Sequence, residues 1–361
     1  MKIIKIGIDG GDNNPELTIQ SGIQRLVSSF ITHIPEKYSS HFKFYYYFFS
    51  KKTGFSKNKI INYIHLPRRF FSLFFIPLRC FINRINVYIG FSGILPVFVR
   101  LFRKSIVFIY DFGFYDYPEY YKDSDKLVWQ TNYSIYASSK IIVCTHSVKN
   151  QLLKRFPNVD PAKVEMIYPG VNYLRNLKVL SVNKIQYPYF LYVGVIKKIK
   201  NIEKLLDLFL VYANTAKDTN VKLVLIGKKE TEYWHYLEKL DIFSKIKQRV
   251  IFLDTISDED LKYYYLNCKA LLNTSYVEGF CYPVVEALSL GKKVIVNNLP
   301  LYAEFKPYFS GLSVTSSDIE FISEMVKESQ KKKINYVVKN HPFYCDKFSS
   351  SLLDVVRTVS L

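Results

Sequence analysis

Residues 275–288, in the second half of the chain, have the sequence SYVEGFCYPVVEAL. A strand is predicted to end just before it, and a loop carrying Glu278 follows. A helix is then predicted to begin near Pro283, because proline suits the first helical turn. Backbone N–H groups at the start of a helix have no partner inside the helix and attract anions. The stretch therefore predicts an anion site at the end of a strand.

Two carboxylates flank this predicted anion site. Glu278 precedes the helix, and Glu286 lies one turn into it, on the side that reaches a ligand over the helix tip. Carboxylates placed in this way can bind hydroxyl groups on both sides of a phosphate, with ribose on one side and a sugar on the other. The alternative is that the two acids only favour the positive end of the helix.

Short apolar strands alternate with helical patterns on both sides of this stretch. Strands are predicted at residues 3–9, 42–49, 86–91, 105–111, 141–145, 164–168, 189–195, 222–226, 250–254, 270–274 and 294–297. Helices are predicted at residues 22–34, 120–137, 148–155, 201–213, 258–266 and 283–290. Near-continuous apolar strands separated by helices indicate parallel sheets covered on both faces. We expect two doubly wound α/β domains, joined by a polar linker at residues 174–187.

Composition narrows the class of protein further. The chain has 361 residues, which suits two domains, and 50 Lys+Arg against 31 Asp+Glu give a net charge of +19. The charge leaves three interpretations open: nucleic-acid binding, contact with an anionic membrane, or compositional bias. No apolar run is long enough for a spanning helix, and the N-terminus does not resemble a signal peptide. Five cysteines without CxxC spacing suggest neither disulfides nor zinc, and indicate a reducing cytosol.

The sequence around residues 275–288 resembles the E-x7-E signature of the retaining glycosyltransferases of family GT4, which have the GT-B fold. Further segments resemble family elements in the family's order: residues 21–25, 145–147, 167–171, 192–194, 200–201, 223–227 and 252–261. Asp111 with residues 117–120 resembles a segment of a mannosyltransferase-like branch. Residues 348–359 resemble the final helix, which crosses back to the first domain.

The resemblance implies a domain plan. Residues 1–180 are expected to form an N-terminal acceptor-binding Rossmann-like domain, and residues 181–345 a C-terminal nucleotide-sugar-binding one. The two are expected to face a cleft. Residues 346–361 are expected to form the crossing helix that packs on the N-terminal domain.

The resemblance also implies roles for individual residues. Glu286 would bind the ribose hydroxyls, Glu278 the hydroxyls of the donor sugar, and Lys200 would neutralise charge on the departing pyrophosphate. Backbone N–H groups of residues 282–285 would face the pyrophosphate, and Gly22 would let a first-domain loop approach the phosphates. The donor-binding residues expected in addition are Gly279, Phe280, Cys281, Tyr282, Pro283, Val284, Val285, Gly194 and Asn201.

The chain departs from the family pattern at two places. Where the family usually has an arginine, it has Val195 and Ile199; Lys197 or Lys198 would supply the second cation, the alternative being solvated surface lysines. The family's histidine before Asp111 is replaced by Tyr110, which donates a hydrogen bond but carries no positive charge. Asp111 is expected to contact acceptor or donor sugar and to act in catalysis; the alternative is an ordinary aspartate at a strand end.

Residues 67–103 are rich in phenylalanine and arginine. A basic, aromatic amphipathic helix suits an anionic membrane surface, although Pro77 would interrupt it. The alternative is a first-domain helix whose apolar side lies in the core. Both interpretations stay open at this point.

These observations predict a retaining hexosyltransferase that acts in cell-surface polysaccharide synthesis. The donor would be a nucleoside-diphosphate sugar, GDP-mannose first and a UDP- or dTDP-sugar next, and the acceptor a glycan or a lipid-linked glycan. The resemblance implies no metal ion and no further cofactor. We expect a cytoplasmic protein, peripheral on the membrane if residues 68–103 contact it. The alternatives are a catalytically degenerate nucleotide-sugar-binding protein and, less favoured for want of a binding motif, a basic nucleic-acid-binding protein.

Overall fold

The computed structural model describes residues 3–11, 22–38, 40–49, 60–101, 103–171, 173–179, 186–216, 220–331 and 335–360. The chain divides into two compact units. The first contains Met1–Gly170 together with Pro342–Leu361, and the second contains Val171–His341.

The first unit is built on a parallel sheet. Its strands are β1 (Ile4–Gly11), β2 (Phe42–Phe48), β3 (Ile61–His65), β4 (Val87–Gly90), β5 (Lys104–Ile109), β6 (Lys140–Val143) and β7 (Val164–Met166), in the order β3-β2-β1-β4-β5-β6-β7. Its helices are α1 (Gly22–Thr32), α2 (Ile76–Ile82), α3 (Gly113–Asp116), α4 (Ser124–Ala137) and α5 (His146–Arg155). A π-helical segment, Phe71–Phe75, leads directly into α2.

The second unit repeats this architecture. It begins with the short helix α6 (Tyr173–Asn176). Its strands are β8 (Tyr189–Val193), β9 (Lys222–Ile226), β10 (Val250–Leu253), β11 (Leu271–Asn273), β12 (Val294–Asn297) and β13 (Leu312–Thr315), in the order β10-β9-β8-β11-β12-β13. Its other helices are α7 (Ile202–Thr215), α8 (Thr231–Glu238), α9 (Asp241–Ile246), α10 (Asp258–Asn267), α11 (Tyr282–Ser289), α12 (Tyr302–Phe305) and α13 (Asp318–Gln330).

Burial of the strands explains why both sheets form. All five residues of β5 after Lys104 are buried, as are most residues of β8, β9 and β12. Strands that are apolar on both faces need cover on both faces, and parallel sheets with helical crossovers provide it. The predicted fold class, two Rossmann-like α/β domains with doubly wound parallel sheets, is confirmed.

The last helix, α14 (Cys345–Ser360), belongs to the first unit. Its Ser349 Oγ donates to the carbonyl of Phe30 on α1 at 3.2 Å, and the rings of Phe348 and Phe30 lie 6.4 Å apart. At its start the backbone of Cys345 comes so close to Gly170 that a Cβ on the glycine would lie 2.3 Å from the Cys345 Cα. The predicted return of the chain to the first domain is thus seen in the packing of α14 against α1.

The boundary between the two units lies after Gly170, ten residues before the boundary predicted at residue 180. The predicted linker at residues 174–187 begins inside α6, and α6 is part of the second unit. Arg175 explains the attachment, because its Nε and Nη2 atoms donate to the Ser289 carbonyl of α11 at 3.1 and 2.8 Å. The predicted linker, which is polar and has no clear helical period, therefore includes part of a helix that side-chain contacts hold in place. The chain returns to the first unit at Pro342, a few residues before the predicted position at 346.

Candidate functional site

The strand order of the second unit locates its candidate site. Strands β8, β9 and β10 run outward in one direction and β11, β12 and β13 in the other, so the order reverses between β8 and β11. In open parallel sheets, ligands bind outside the carboxyl ends of the strands at such a reversal. The loop after β8 carries Lys200 and the loop after β11 carries Glu278. Two residues predicted to act together thus lie at this position.

Hydrogen bonds join the two loops. The N–H of Tyr276 donates to the carbonyl of Ile199 at 3.0 Å, and the Thr274 hydroxyl donates to the carbonyl of Asn201 at 3.0 Å. Asn201 has a left-handed backbone, with φ +53°, which places it between a 3-10 turn and α7. These contacts fix the position of Lys200 relative to the loop after β11.

Lys200 and Glu278 form an ion pair. The Nζ atom of Lys200 lies 2.7 Å from Oε1 of Glu278, and their side chains are only 21% and 10% exposed. The same Oε1 accepts a hydrogen bond of 2.7 Å from the Ser275 hydroxyl and lies 3.5 Å from Nδ2 of Asn273. A partly buried carboxylate with three donors is held in one position.

Burial by itself would raise the pKa of Glu278. The nearby Lys200 charge and the hydrogen bonds from Lys200, Ser275 and Asn273 outweigh burial, so that the pKa is lowered from its ordinary value. Glu278 is therefore charged at neutral pH. A charged carboxylate accepts hydrogen bonds from hydroxyl groups and does not act as a proton donor.

Asn273, the last residue of β11, organises the floor of the site. It is 4% exposed. Its Oδ1 accepts from the N–H of Ser275 at 3.1 Å and from the hydroxyl of Tyr302 at 3.2 Å. Its amide therefore connects the strand end, the loop and α12.

Glu286, the second acid of the pair, is 2% exposed on α11. Its Oε1 accepts a hydrogen bond from the hydroxyl of Tyr173, and its Oε2 accepts one of 2.7 Å from the hydroxyl of Tyr265. Tyr173 comes from α6 and Tyr265 from α10. Two further elements of the second unit thus converge on this carboxylate.

The expected row of amides at residues 282–285 needs correction. Pro283 has no N–H, and the N–H groups of Val284 and Val285 donate to the carbonyl of Cys281 at 3.1 and 3.3 Å. They make the first turn of α11, which is why they do not serve as the anion donors that the sequence suggested. The predicted helix start itself is correct, because α11 begins at Tyr282 with Pro283 in its first turn.

Cys281 caps α11 with a left-handed backbone, φ +59° and ψ 72°, although it carries a side chain. Its side chain is buried, and its Sγ lies 3.5 Å from Nδ2 of Asn273. Burial, followed by the charge of Glu278, raises the pKa of this thiol well above its ordinary value. The thiol is thus protonated, and Cys281 has a structural place at the turn between Glu278 and α11.

The remaining predicted residues of the second unit have distinct places. Phe280 is 5% exposed and packs on Phe305, with ring centroids 5.7 Å apart, while Gly279 lies in the bend before it. Gly194 directly follows β8, and a Cβ on Gly227 would lie 2.1 Å from its carbonyl oxygen, so the ends of β8 and β9 touch there. Phe280 is therefore an anchor of the loop in the core.

The two lysines proposed as a second cation differ in what the structure shows. Lys198 forms an ion pair with Glu203 of α7, and its Nζ lies 4.9 Å from the ring centroid of Tyr236. Lys197 is the residue directly before the 3-10 turn Lys198–Lys200. Lys198 is therefore engaged with α7 and α8.

In the first unit the predicted residues lie near a second reversal of strand order, between β1 and β4. The hydroxyl of Tyr110 donates to the carbonyl of Phe91, after β4, at 2.5 Å. Burial, then the neighbouring Cys144 and Asp9, raise the pKa of Tyr110 well above its ordinary value, so it stays uncharged. Asp111 accepts the N–H of Gly113 at 2.9 Å. Gly22 is the exposed first residue of α1; Ser21, beside it, lies outside the described residues.

Several residues of these two regions were not predicted as functional. Asp9 joins the ends of β1 and β4, accepting from the N–H of Gly11 at 3.0 Å and from the hydroxyl of Ser92 at 2.8 Å. Gly10 beside it leaves no room for a Cβ, which would lie 2.3 Å from the ring of Tyr46. Asp9 could have been predicted from the sequence, because it is an acidic residue at the end of an apolar strand. In the second unit the unpredicted residues are Asn273, Ser275, Tyr302, Tyr173 and Tyr265, and Ser275 alone lies within the stretch at residues 275–288.

Comparison with known families finds similarity in the second unit. Residues 180–340 match the model of the family described as "Glycosyl transferases group 1". The relatives include the O-antigen chain mannosyltransferase RfbU of Salmonella typhimurium, 26% identical over 206 residues, 57% of this chain and 55% of the relative. O-antigen chain mannosyltransferase B of Escherichia coli is 24% identical over 257 residues, 67% of this chain and 65% of the relative. The matched region thus spans between about half and two thirds of these relatives, and the predicted resemblance to GT4 mannosyltransferases is confirmed.

Solved structures agree on the fold over nearly the whole chain. Sucrose-phosphate synthase from Thermosynechococcus elongatus has a TM-score of 0.69 at 16% identity, over 99% of this chain and 94% of that one. The structure of WaaG, a glycosyltransferase involved in lipopolysaccharide biosynthesis, has a TM-score of 0.67 at 13% identity, over 96% and 94%. Similarity at this identity shows the fold, which is that of the GT-B glycosyltransferases.

Proposed function

We propose that this chain, which has the GT-B fold and a glycosyl transferases group 1 domain at residues 180–340, is a retaining hexosyltransferase. It takes a hexose from a nucleoside-diphosphate sugar and transfers it to a glycan or lipid-linked acceptor in cell-surface polysaccharide synthesis. The observation that carries the proposal is the Lys200–Glu278 pair at the strand-order reversal, with Glu286 on the helix that follows. The names of the two O-antigen relatives support the polysaccharide assignment.

The chemistry of the transfer indicates what the positive charge of Lys200 does in the site. The bond between the anomeric carbon and the phosphate oxygen breaks with its electron pair, so that negative charge grows on the departing nucleoside diphosphate. The Lys200 ammonium stabilises that charge, and it supplies the cation without a metal ion. The acceptor hydroxyl forms the new bond on the face that the phosphate leaves, and its proton passes to the departing phosphate oxygen. Configuration at the anomeric carbon is thereby retained.

The two acids orient the donor in this proposal. Glu278 is charged, and it accepts hydrogen bonds from hydroxyls of the hexose. Glu286 accepts those of the ribose. Because a carboxylate has about four lone-pair positions, Glu278 can bind a sugar hydroxyl while it keeps the hydrogen bond from Ser275. Asp111 is the proposed first-unit contact to a sugar, supported by its place after β5.

Mannose carried by GDP is the proposed donor. The support is the similarity to RfbU and mannosyltransferase B, together with the segment at residues 117–120 that resembles a mannosyltransferase-like branch. A UDP- or dTDP-sugar is the second candidate.

The first unit is proposed to contact an anionic membrane surface. The segment at residues 70–82 has two faces: Phe71, Ile76 and Cys80 are buried. Its exposed apolar side chains are Phe70, Leu73, Phe74, Leu78, Phe81 and Ile82, between 40% and 61% exposed. Spacings of four, four and three residues put Phe70, Phe74, Leu78 and Phe81 along one side of the segment. The buried face fits the interpretation as a first-domain helix packed on the core, and the exposed face supports the proposed membrane contact.

Charge indicates what this apolar face contacts. Between Glu36 and Asp111 the sequence has thirteen Lys and Arg and no Asp or Glu. Arg68, Arg69 and Arg84, at the ends of the segment, are exposed. Apolar side chains surrounded by arginine suit a surface of anionic lipid headgroups. The proposed contact is peripheral. No helix in the described part of the chain is long and apolar enough to cross a membrane.

A donor panel tests the proposed activity. The purified chain is incubated with GDP-mannose, UDP-glucose, UDP-galactose and dTDP-glucose, with and without a lipid-linked glycan extract, and free nucleoside diphosphate is measured. We expect release of nucleotide from GDP-mannose and a product whose new linkage keeps the donor's anomeric configuration. Binding of a donor without turnover would instead support a degenerate nucleotide-sugar-binding protein. Failure of all four donors to bind would reject both.

A further inference from the structure

The surroundings of Glu286 suggest how nucleotide binding is controlled. Glu286 is 2% exposed, and each of its carboxylate oxygens accepts a tyrosine hydroxyl. A ribose presents two adjacent hydroxyls, which fit the two oxygens of one carboxylate. Because the carboxylate is only 2% exposed, a ribose hydroxyl can reach it only by taking the place of a tyrosine.

The two tyrosines differ in their freedom to move. Tyr265 is 0% exposed on α10, a helix of ten residues, and its ring is surrounded by the core. Tyr173 is half-buried and is the first residue of α6, a helix of four residues. Because a fully buried phenol has no space to turn into, Tyr173 is the one that can leave the carboxylate.

The anchors of α6 allow that movement. Arg175 bonds to the Ser289 carbonyl, and Lys262 Nζ donates to the carbonyls of Arg175 and Leu177 at 2.9 and 2.8 Å. All these contacts involve residues that follow Tyr173 in the chain. Rotation of the Tyr173 side chain therefore breaks none of them, and α6 keeps its place while the hydroxyl leaves Oε1.

We propose that Tyr173 is an internal competitor of the nucleotide: its hydroxyl occupies the Glu286 oxygen that accepts a ribose hydroxyl, and the ribose must displace it. This inference rests on the proposed function, since it needs a nucleotide at Glu286. Tyr265, in contrast, is a positioning residue that holds Oε2 from the core side. Tyr173 thereby sets the affinity for the donor and for the nucleoside diphosphate product, and it favours product release.

The size of the effect follows from populations. If Tyr173 is bonded to Glu286 in about nine of ten molecules, the apparent Kd of the nucleotide is raised about tenfold over its intrinsic value. Removal of the hydroxyl abolishes this cost. It also leaves Oε1 without one of its donors in the empty protein, which further favours an incoming ribose hydroxyl.

Two matched substitutions on the same carboxylate test the proposal. Binding of GDP, UDP and dTDP to the full chain is measured by titration calorimetry for the wild type, Tyr173→Phe and Tyr265→Phe. We expect Tyr173→Phe to bind the best of the three nucleotides about tenfold more tightly. We expect Tyr265→Phe to bind it more weakly, because Glu286 then loses its fixed partner. Tyr173→Leu, which also removes the ring, should change affinity in the same direction as Tyr173→Phe.

The 2′,3′-dideoxy form of the same nucleotide separates competition from a structural effect. It has no hydroxyls to place on Glu286, so Tyr173→Phe should leave its affinity unchanged. Equal tightening of both forms, or an unchanged or weaker affinity of the ribose form, would overturn the role of Tyr173 while the proposed function stands. If none of GDP, UDP and dTDP binds the wild type, the proposed function fails and this inference fails with it.

Discussion

Lys200 Nζ lies 2.7 Å from Glu278 Oε1, although the two residues are 78 positions apart in the chain. Strand order brings them together, because β8 and β11 are neighbours at the reversal of the sheet. In the proposed reaction the two charges have different partners, the pyrophosphate for Lys200 and the hexose for Glu278. The ion pair thus holds both groups in place until a donor arrives.

Replacement of Lys200 should remove catalysis with little change in fold. We expect Lys200→Ala to lower kcat for nucleotide release by roughly a hundredfold to a thousandfold, the range seen when one stabilising group at a developing negative charge is removed. Initial rates over a range of donor concentrations give kcat and KM separately.

Lys245→Ala is the matched control for that experiment. Lys245 is in the same unit, its side chain is 56% exposed, and it pairs with Asp241 one helical turn away. We expect its rate to equal that of the wild type. A Lys200→Ala protein with wild-type kcat and a wild-type circular dichroism spectrum would reject the site.

Acid should weaken the contribution of Glu278 to stability. Its pKa in the folded protein is lowered from the ordinary value of 4.5, so its stabilising contribution is complete above that value and is lost as pH falls below it, through the folded pKa. We expect the wild type to melt at a higher temperature than Glu278→Gln at pH 7. The difference between the two Tm values should shrink as the pH falls below 4.5, which thermal melts in a pH series would show. If the difference in Tm grew as the pH fell, the stabilising role of the charged Glu278 side chain would be contradicted.

The left-handed backbone at Cys281 predicts an unusual order of stabilities. In ordinary backbone conformations, a protein with alanine at a given position is normally more stable than one with glycine there. The reason is that glycine loses more conformational entropy on folding. At φ +59° an L side chain costs about 1–2 kcal/mol. We therefore expect Cys281→Gly to have a free energy of unfolding about 1 kcal/mol higher than Cys281→Ala. Urea denaturation of both variants measures the difference, and the opposite order would show that the turn relaxes.

The exposed apolar face of the first unit should bind anionic vesicles. We expect the wild type to sediment with phosphatidylcholine vesicles that contain about 30% phosphatidylglycerol and not with phosphatidylcholine alone. The double substitution Phe74→Ser with Phe81→Ser should abolish binding. Arg68→Gln with Arg69→Gln should weaken it by roughly thirtyfold, since each basic residue near such a surface contributes about 1 kcal/mol.

The second unit provides the control for vesicle binding. Ile319 and Val337 are exposed apolar side chains, at 81% and 64%, that lie outside the proposed face. Ile319→Ser with Val337→Ser should bind as the wild type does. Equal loss of binding in both double variants would indicate non-specific adhesion and reject the proposed face.

The local elements of both units could be predicted from the amino-acid sequence. Apolar runs predicted the central strands of both sheets, and the stretch at residues 275–288 predicted a strand, a loop with Glu278 and a helix that starts next to Pro283. These features depend on residues close together in the chain, since strand propensity, helix period and the position of proline are local properties. The placement of Lys200 in the same site as this stretch came from the resemblance to the GT4 family, because the periodicity of the sequence carries no information about it.

Which groups of the site are available to a ligand depends on contacts between distant parts of the chain. Hydrogen bonding within the first turn of α11 engages the amides of Val284 and Val285, a fact hidden in a sequence that shows only residue types. Tyr173 reaches Glu286 across 113 positions, and the Phe70 and Phe74 rings face outward while Phe71 between them is buried. Such relationships follow from strand order and from the packing of helices around it. They join residues that are far apart in the chain, and no local pattern of the sequence records them.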